Sequence, residues 1–444
     1  MTSRRIVSGL LLVLAIGPLA SAQQVSQRKD IAVFRLSYYQ WDIPDSVLGG
    51  IDEELKGVFV NIGRFNVLGM TQRLEPGDLN EFIDKIRQYK QDRAEIPEGV
   101  QMGREFFTEA DFQRLVGSFV VVVPSVASYV LEVKDSGEFH VSVKTSFSFV
   151  NVEQGTTFAQ ALVETEGTEK SPEGAARSAL DGIAMQLTYE VRKVAEFQLK
   201  TGVLEVRGSE VVLELGRDMG IKVGDEYLLV SSRVLESGKT LTSETGLLVI
   251  KEVSDEVSVG KVLYARPRPQ EGDQLREFPL RGVEATPYVH VARGVLYDPG
   301  RITSLIGIKG TWARGFYGFR PIFGLDVPLI ANIAFGIPLN LYVGGEYVLH
   351  LGRFSLAPSA ALGVGGAYLW YADVPDDEKF VLTYVGGQAG LTLTYLFNKK
   401  FRIALEAGYL NWFSLVPTKY FFDARYLFPD FDGLYFGAGL TIKL

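Results

Sequence analysis

From Gly282 to Leu444, apolar side chains alternate with small or charged ones in segment after segment, and this pattern limits the fold more than any other feature. A period of two belongs to β-strands, whose successive side chains point to opposite faces. In the final segment, Leu434, Phe436, Ala438, Leu440, Ile442 and Leu444 oppose Tyr435, Gly437, Gly439, Thr441 and Lys443. Phe354, Leu356, Leu362, Val364, Tyr368 and Trp370 likewise oppose Ser355, Ala357, Ser359, Ala361, Gly363 and Gly365. Further segments set Val381, Val385, Leu391, Leu393 and Tyr395 against Gln388, Gly390, Thr392 and Thr394, and Phe401, Ile403, Leu405, Ala407 and Tyr409 against Arg402, Glu406 and Gly408. Leu341, Val343, Tyr347, Leu349 and Leu351 face away from Asn340, Gly344, Glu346 and His350. A soluble sandwich turns its large apolar side chains inward. A wall that is greasy on one face and small or ionic on the other also suits a barrel with lipid outside.

Weaker alternation near Ile302–Trp312, Tyr317–Val327 and Tyr288–Tyr297 brings the expectation to about eight antiparallel strands in residues 282–444. Of these, Tyr288–Tyr297 is the weakest, because His290 and Arg293 fall on opposite faces. Turns near Ala313-Arg-Gly315, Leu351-Gly-Arg353 and Asn398-Lys-Lys400 are tight, whereas connections after the third, fifth and seventh segments are longer, and only Tyr297-Asp-Pro-Gly300, after the first, is short on that side. Short turns on one side and long loops on the other are the outer-membrane pattern. Trp312, Phe316, Tyr317, Trp370, Tyr371, Tyr395, Phe397 and Trp412 sit near segment ends, as interfacial girdles would. An eight-stranded barrel is only wide enough for side chains to fill it. Lys309, Arg320, Asp326, Glu346, Arg402 and Glu406 would point inward and pair as a plugging network, since an unpaired buried charge is costly. This part resembles small outer-membrane barrels of the OmpA/OmpW type. Its end, Gly439, Leu440, Ile442 and Leu444 among them, resembles the carboxyl-terminal signal read by the barrel-assembly machinery, but closes on leucine where an aromatic is usual.

Residues 1–22 read as an export signal: Arg4 and Arg5, an apolar stretch from Leu10 to Ile16, and Ala20-Ser21-Ala22 before the cleavage point. That stretch is shorter than the roughly 20 residues of a spanning helix. No later run is long and apolar enough to cross as a helix, so any crossing must be made by a closed barrel. Cysteine is absent, which excludes disulfides, thiolate metal sites, cysteine nucleophiles and lipid attachment. His140, His290 and His350 are scattered, so neither a metal site nor a cofactor is expected. A net charge of −8 without a basic stripe argues against nucleic acid.

Residues 23–200 mix helix and strand. Strands are predicted at Ile31–Tyr38, Arg64–Gly69, Phe119–Val123, Ser128–Lys134, Glu138–Val152 and Thr157–Thr165. Apolar stripes mark helices after Pro44, from Leu79 and after Thr108, and Ser171-Pro172 opens a long one. The order of elements, with Asp30-Ile-Ala-Val-Phe34 before the first helix, resembles the periplasmic α/β domains of the TolB amino-terminal and CsgG type. Residues 201–281 read as a small all-β module. Gly220-Ile-Lys-Val-Gly-Asp225 and Glu271-Gly-Asp273 form turns resembling those of the FlgT carboxyl-terminal module, and Arg266–Gln270 and Glu277–Arg281 read as an exit linker.

The expectation is therefore a multidomain chain of periplasmic α/β domain, small β module and transmembrane β-barrel. It would lie in a bacterial outer membrane with residues 23–281 in the periplasm, meeting outer-membrane lipid, the assembly machinery and a periplasmic protein or the cell wall. The arrangement resembles OmpA-type proteins with the parts reversed, without that family's wall-binding motif. A structural, anchoring role is expected rather than catalysis. A narrow secretion or transport conduit (or assembly platform) is the alternative, and a lipid-modifying enzyme using His290 or His350 the second.

Overall fold

The computed structural model describes residues 25–38, 43, 45–91, 99–329, 336–369, 380–415 and 430–444. Residues 1–22, expected to be an export signal, and Trp370 and Tyr371 lie outside these. The amino-terminal region runs β1 (Lys29–Val33), α1 (Asp45–Ile62), β2 (Phe65–Gly69), α2 (Leu79–Gln91), β3 (Gly99–Met102), β4 (Glu105–Thr108), α3 (Glu109–Gly117), β5 (Val120–Val133), β6 (Phe139–Asn151), β7 (Thr156–Glu169) and α4 (Pro172–Lys193). Five of these strands form a sheet in the order β2-β1-β5-β6-β7, and β3 pairs with β4 as a hairpin. Alternate residues of β5 enter two cores. Val120 and Val122 meet α1 and α4, whereas Val121 and Val123 meet α2 and α3, which is why this run is apolar on both faces. Thr108 and Asp111 make a capping box at α3, and the Ser171 hydroxyl accepts from the Gly174 N–H at the start of α4.

Two sequence boundaries move. The strands expected at Phe119–Val123 and Ser128–Lys134 are one strand, β5, carried through a bulge near Ala127 that re-aims its side chains. The first strand ends at Val33, with only Ser37 making a further bridge to Ser125.

Next come β8 (Lys200–Arg207), β9 (Glu210–Leu213), β10 (Glu226–Val234), β11 (Thr240–Val253), β12 (Ser258–Ala265) and β13 (Gln274–Phe278). They close a six-stranded barrel in the order β10-β11-β12-β9-β8-β13, with β13 pairing back onto β10. Its interior is apolar: Val203, Val211, Leu213, Tyr227, Leu229, Leu248, Ile250 and Leu275. Part of the expected exit linker is thus a closing strand. Gln274–Phe278 alternates too briefly to stand out, and its Glu277 is buried because it meets two arginines described below.

The carboxyl-terminal region comprises β14 (Val283–Arg293), β15 (Ile302–Trp312), β16 (Phe319–Pro328), β17 (Gly336–Tyr347), β18 (Leu349–Leu351), β19 (Phe354–Leu369), β20 (Phe380–Leu396), β21 (Phe401–Ser414) and β22 (Phe431–Lys443). Antiparallel pairing runs β17-β16-β15-β14-β22-β21-β20-β19, and β19 pairs back onto β17, closing eight strands into a barrel. The short β18 pairs only with the start of β19. Among the described residues, no helix is long and apolar enough to cross a membrane.

Candidate functional site

The eight-stranded barrel is polar within and apolar without. Val343, Leu362 and Phe436 are 67%, 74% and 68% exposed on its outer wall, joined there by Val289, Ile306, Phe323, Leu341, Leu391 and Leu405. A soluble monomer rarely leaves a contiguous apolar patch larger than a few hundred Å² uncovered. The intervening residues point inward and are buried, among them all six of the ionic residues expected there: Lys309, Arg320, Asp326, Glu346, Arg402 and Glu406.

The interior is stacked in layers. Near the rim that carries the tight turns, Glu284 accepts from Arg402 Nη1 at 2.7 and 2.8 Å and from Arg320 Nη1 at 3.2 Å, while Arg320 Nε also donates to Glu346 at 3.0 Å. In the middle, Glu406 accepts from Lys309 Nζ at 2.7 Å and lies 2.9 Å from His290 Nε2. The imidazole is sandwiched between Tyr288 and Tyr435, at centroid separations of 4.2 and 4.6 Å. Asp326 accepts from Asn340 Nδ2 at 3.0 Å and from the Tyr288 hydroxyl at 3.3 Å. Towards the other rim, Ala292, Leu305, Tyr384, Leu410, Trp412 and Phe431 form an apolar layer. Small residues make room for the rings: a Cβ on Gly437 would lie 2.1 Å from His290, and one on Gly307 would lie 2.5 Å from Tyr288.

Sequence reasoning missed Glu284, His290 and Tyr288 as members of this interior. The weakest expected segment is the reason: its strand is Val283–Arg293 rather than Tyr288–Tyr297, which places Glu284 and His290 in phase and leaves Arg293 exposed where β14 ends. Trp412, expected in an interfacial girdle, is fully buried inside the barrel and stacks on Phe431. Its place in the alternation, one residue after the outward parity of Phe401–Tyr409, carried that information. The uninterrupted alternation expected from Val381 also fails. The β19–β20 pairing is irregular there, so Leu382 faces out while Thr383 and Tyr384 are both buried. Of the other expected girdle aromatics, Trp312, Tyr395 and Phe397 are exposed, and Phe316 and Tyr317 are partly buried. Leu440 and Leu444 are exposed, Gly439 and Ile442 partly so.

The tight-turn rim rests on the six-stranded barrel. Leu396 and Tyr317 of the larger barrel pack on Leu228, Leu247, Val249, Leu263 and Phe278 of the smaller. The Gly315 N–H donates to the Val223 carbonyl at 2.7 Å, and Arg353 lies 3.8 Å above the Tyr264 ring. Gly224, at φ 82°, comes so near that a Cβ would sit 2.2 Å from the Ala313 carbonyl oxygen. Buried ion pairs hold this seat. Lys443, in the last strand, donates to Glu226, and the Leu444 carbonyl accepts from the Arg281 N–H at 2.7 Å. Asp225 accepts from Arg314 Nε at 2.7 Å and from Arg192 Nη2 at 3.0 Å, so the turn read from Gly220–Asp225 also joins all three regions. Glu277 receives Arg64 and Arg192 from the amino-terminal region. Burial alone would push the Glu277 carboxyl up, but the two guanidiniums outweigh it and hold it at about 2. For Glu226, burial outweighs Lys443 and raises the carboxyl. No cluster of metal-ligating side chains is present among the described residues.

No family model matches this chain, and no curated protein does. Solved structures match over parts of it. The PelC dodecamer from Paraburkholderia phytofirmans is 15% identical, with 38% of this chain and 93% of that one covered, at a TM-score of 0.22. Neisserial surface protein A is 12% identical, with 36% and 96% covered, at 0.25. Ail, the attachment invasion locus protein of Yersinia pestis, is also 12% identical, with 37% and 99% covered, at 0.23. The functional reading therefore rests on the chain's own geometry.

Proposed function

We propose that this chain is a bacterial outer-membrane protein whose eight-stranded barrel anchors residues 23–281 in the periplasm, where they engage an envelope protein or the cell wall. The observation that carries this reading is the inverted polarity of residues 282–444: an apolar outer wall around a filled, ion-paired interior. Such a wall is stable against hydrocarbon and poorly soluble in water. The tight-turn rim then faces the periplasm, because it bears the six-stranded barrel.

An anchor is favoured over a conduit because each layer of the interior is occupied and the seat covers one mouth. A lipid-modifying role gains no support from the histidines. His290 is buried between two tyrosines with no serine in its hydrogen bonding, and His350 lies beside Tyr317 at the covered rim. The resemblance of the amino-terminal part to TolB- and CsgG-type domains fits a partner-binding role for it. Membrane fractionation with electrophoresis of unheated samples tests the proposal. The protein should sediment with outer membranes and migrate differently when unheated; a fully soluble periplasmic protein would overturn it.

A further inference from the structure

We propose that the cleft where the amino-terminal segment, the end of α4 and the start of β8 meet is a binding site for a small multivalent oxyanion. The cleft measures about 480 Å³ and is bordered by Arg28, Lys29, Arg64, Lys200 and the acidic Glu196, while the Glu277 carboxylate accepts from Arg64 and from the Leu199 N–H of its lining. This concentration of positive charge stands out in a chain whose net charge is −8. Among the described residues, none of Arg28, Lys29 and Lys200 is paired with a carboxylate.

Arg28, Lys29 and Arg64 are held by contacts, whereas the Lys200 ammonium is left available. Lys29 Nζ donates to the Glu196 backbone carbonyl at 2.6 Å and lies over the Phe119 and Phe197 rings, 4.4 and 5.9 Å from their centroids. Arg28 donates through Nε and Nη2 to the Asp218 carbonyl, at 3.2 and 2.8 Å, which fixes the amino-terminal segment against the six-stranded barrel. The Lys200 ammonium makes no hydrogen bond among the described residues, although its backbone N–H is tied to the Ser26 hydroxyl at 2.8 Å. Arg64 is 3% exposed and its terminal nitrogens are committed to the Phe197 carbonyl and the Glu277 carboxylate, so it offers the cleft its buried Nε–H, which has no partner, rather than a free charge.

A buried donor left unmatched beside unpaired ammoniums is the arrangement that an oxyanion completes, since ammonium and guanidinium groups form charge-assisted hydrogen bonds to carboxylate and phosphate oxygens. Phosphate and polycarboxylate share that chemistry. Because the cations come from both sides of the junction, the bound anion would also tie the amino-terminal region to the six-stranded barrel.

The test is calorimetric titration of the full chain in detergent with inorganic phosphate and, separately, with citrate, each against chloride at matched ionic strength. Saturable heat with at least one probe is expected, and the stronger of the two distinguishes a phosphate from a carboxylate ligand. The double variant Lys29→Gln/Lys200→Gln should bind that probe at least tenfold more weakly, while keeping the unheated gel mobility and far-ultraviolet spectrum of the parent. If the double variant does not fold, Lys200→Gln alone decides, because its ammonium makes no hydrogen bond among the described residues; a severalfold loss is expected. Absence of binding above chloride, or a folded variant that binds as the parent does, overturns the site.

Discussion

The chain holds two closed barrels of opposite polarity. In the six-stranded one, Tyr227, Leu229, Leu248 and Ile250 fill the interior; in the eight-stranded one, Arg320, Arg402, Glu284 and Glu406 do, and the aliphatic side chains stand outside. Backbone hydrogen bonding is satisfied by closure in both cases, so closure does not dictate which face is greasy. The surroundings do. The smaller barrel follows the usual rule of an apolar inside, whereas the larger keeps its interior charges paired or, at Asp326, hydrogen-bonded to Asn340 and Tyr288.

Removing an interior partner should have the largest effect. Glu284→Ala leaves Arg320 and Arg402 without a shared acceptor, and a buried pair broken on one side costs about 3–5 kcal/mol. Urea unfolding in lipid vesicles should show that loss, and replacing Glu284, Arg320, Arg402 and Glu346 together by apolar residues of similar volume should recover much of it. The second test separates the two polarities. Leu341→Arg changes a 53% exposed side chain, which in a water-soluble protein shifts stability by no more than about 0.5 kcal/mol. Against hydrocarbon it should cost about 2–4 kcal/mol in the same assay.

Acid should weaken the seat. The Glu277 carboxyl is held at about 2, below the ordinary 4.5, so its contribution is complete above pH 4.5 and is lost as pH falls towards 2. Glu277→Gln should flatten that part of a stability-versus-pH curve measured on the full chain. The smallest effect is expected for Lys399→Ala, which removes a partly exposed pair with Glu244 at 2.6 Å. Less than about 1 kcal/mol should change, and less still at high salt.

The sequence showed the larger barrel more plainly than the smaller. Alternation is visible in strands such as β17, β19, β21 and β22, where Leu341, Leu362, Leu405 and Phe436 stand on the apolar face with little interruption around them. Where the backbone departs from strict alternation, as at Leu382–Tyr384, period-two reasoning puts a side chain on the wrong face. The inward carboxylate Glu284 was hidden because its strand begins earlier than its apolar residues suggest. Closure of the smaller barrel was less legible still: β13 is only five residues long, and what makes it essential, Glu277, finds its partners Arg64 and Arg192 in a distant part of the chain. Contacts between regions leave no local pattern to read.

The central claim is that the aliphatic wall of residues 282–444 meets hydrocarbon. Because the chain has no cysteine, single cysteines at Leu339, Asn340, Leu341, Tyr342 and Val343 can carry nitroxide labels without background. In bilayers, oxygen should relax the labels at 339, 341 and 343 strongly, with a water-soluble nickel complex excluded, and labels at 340 and 342 should be shielded from both. Ready access of the nickel complex to 339, 341 and 343 would contradict the account.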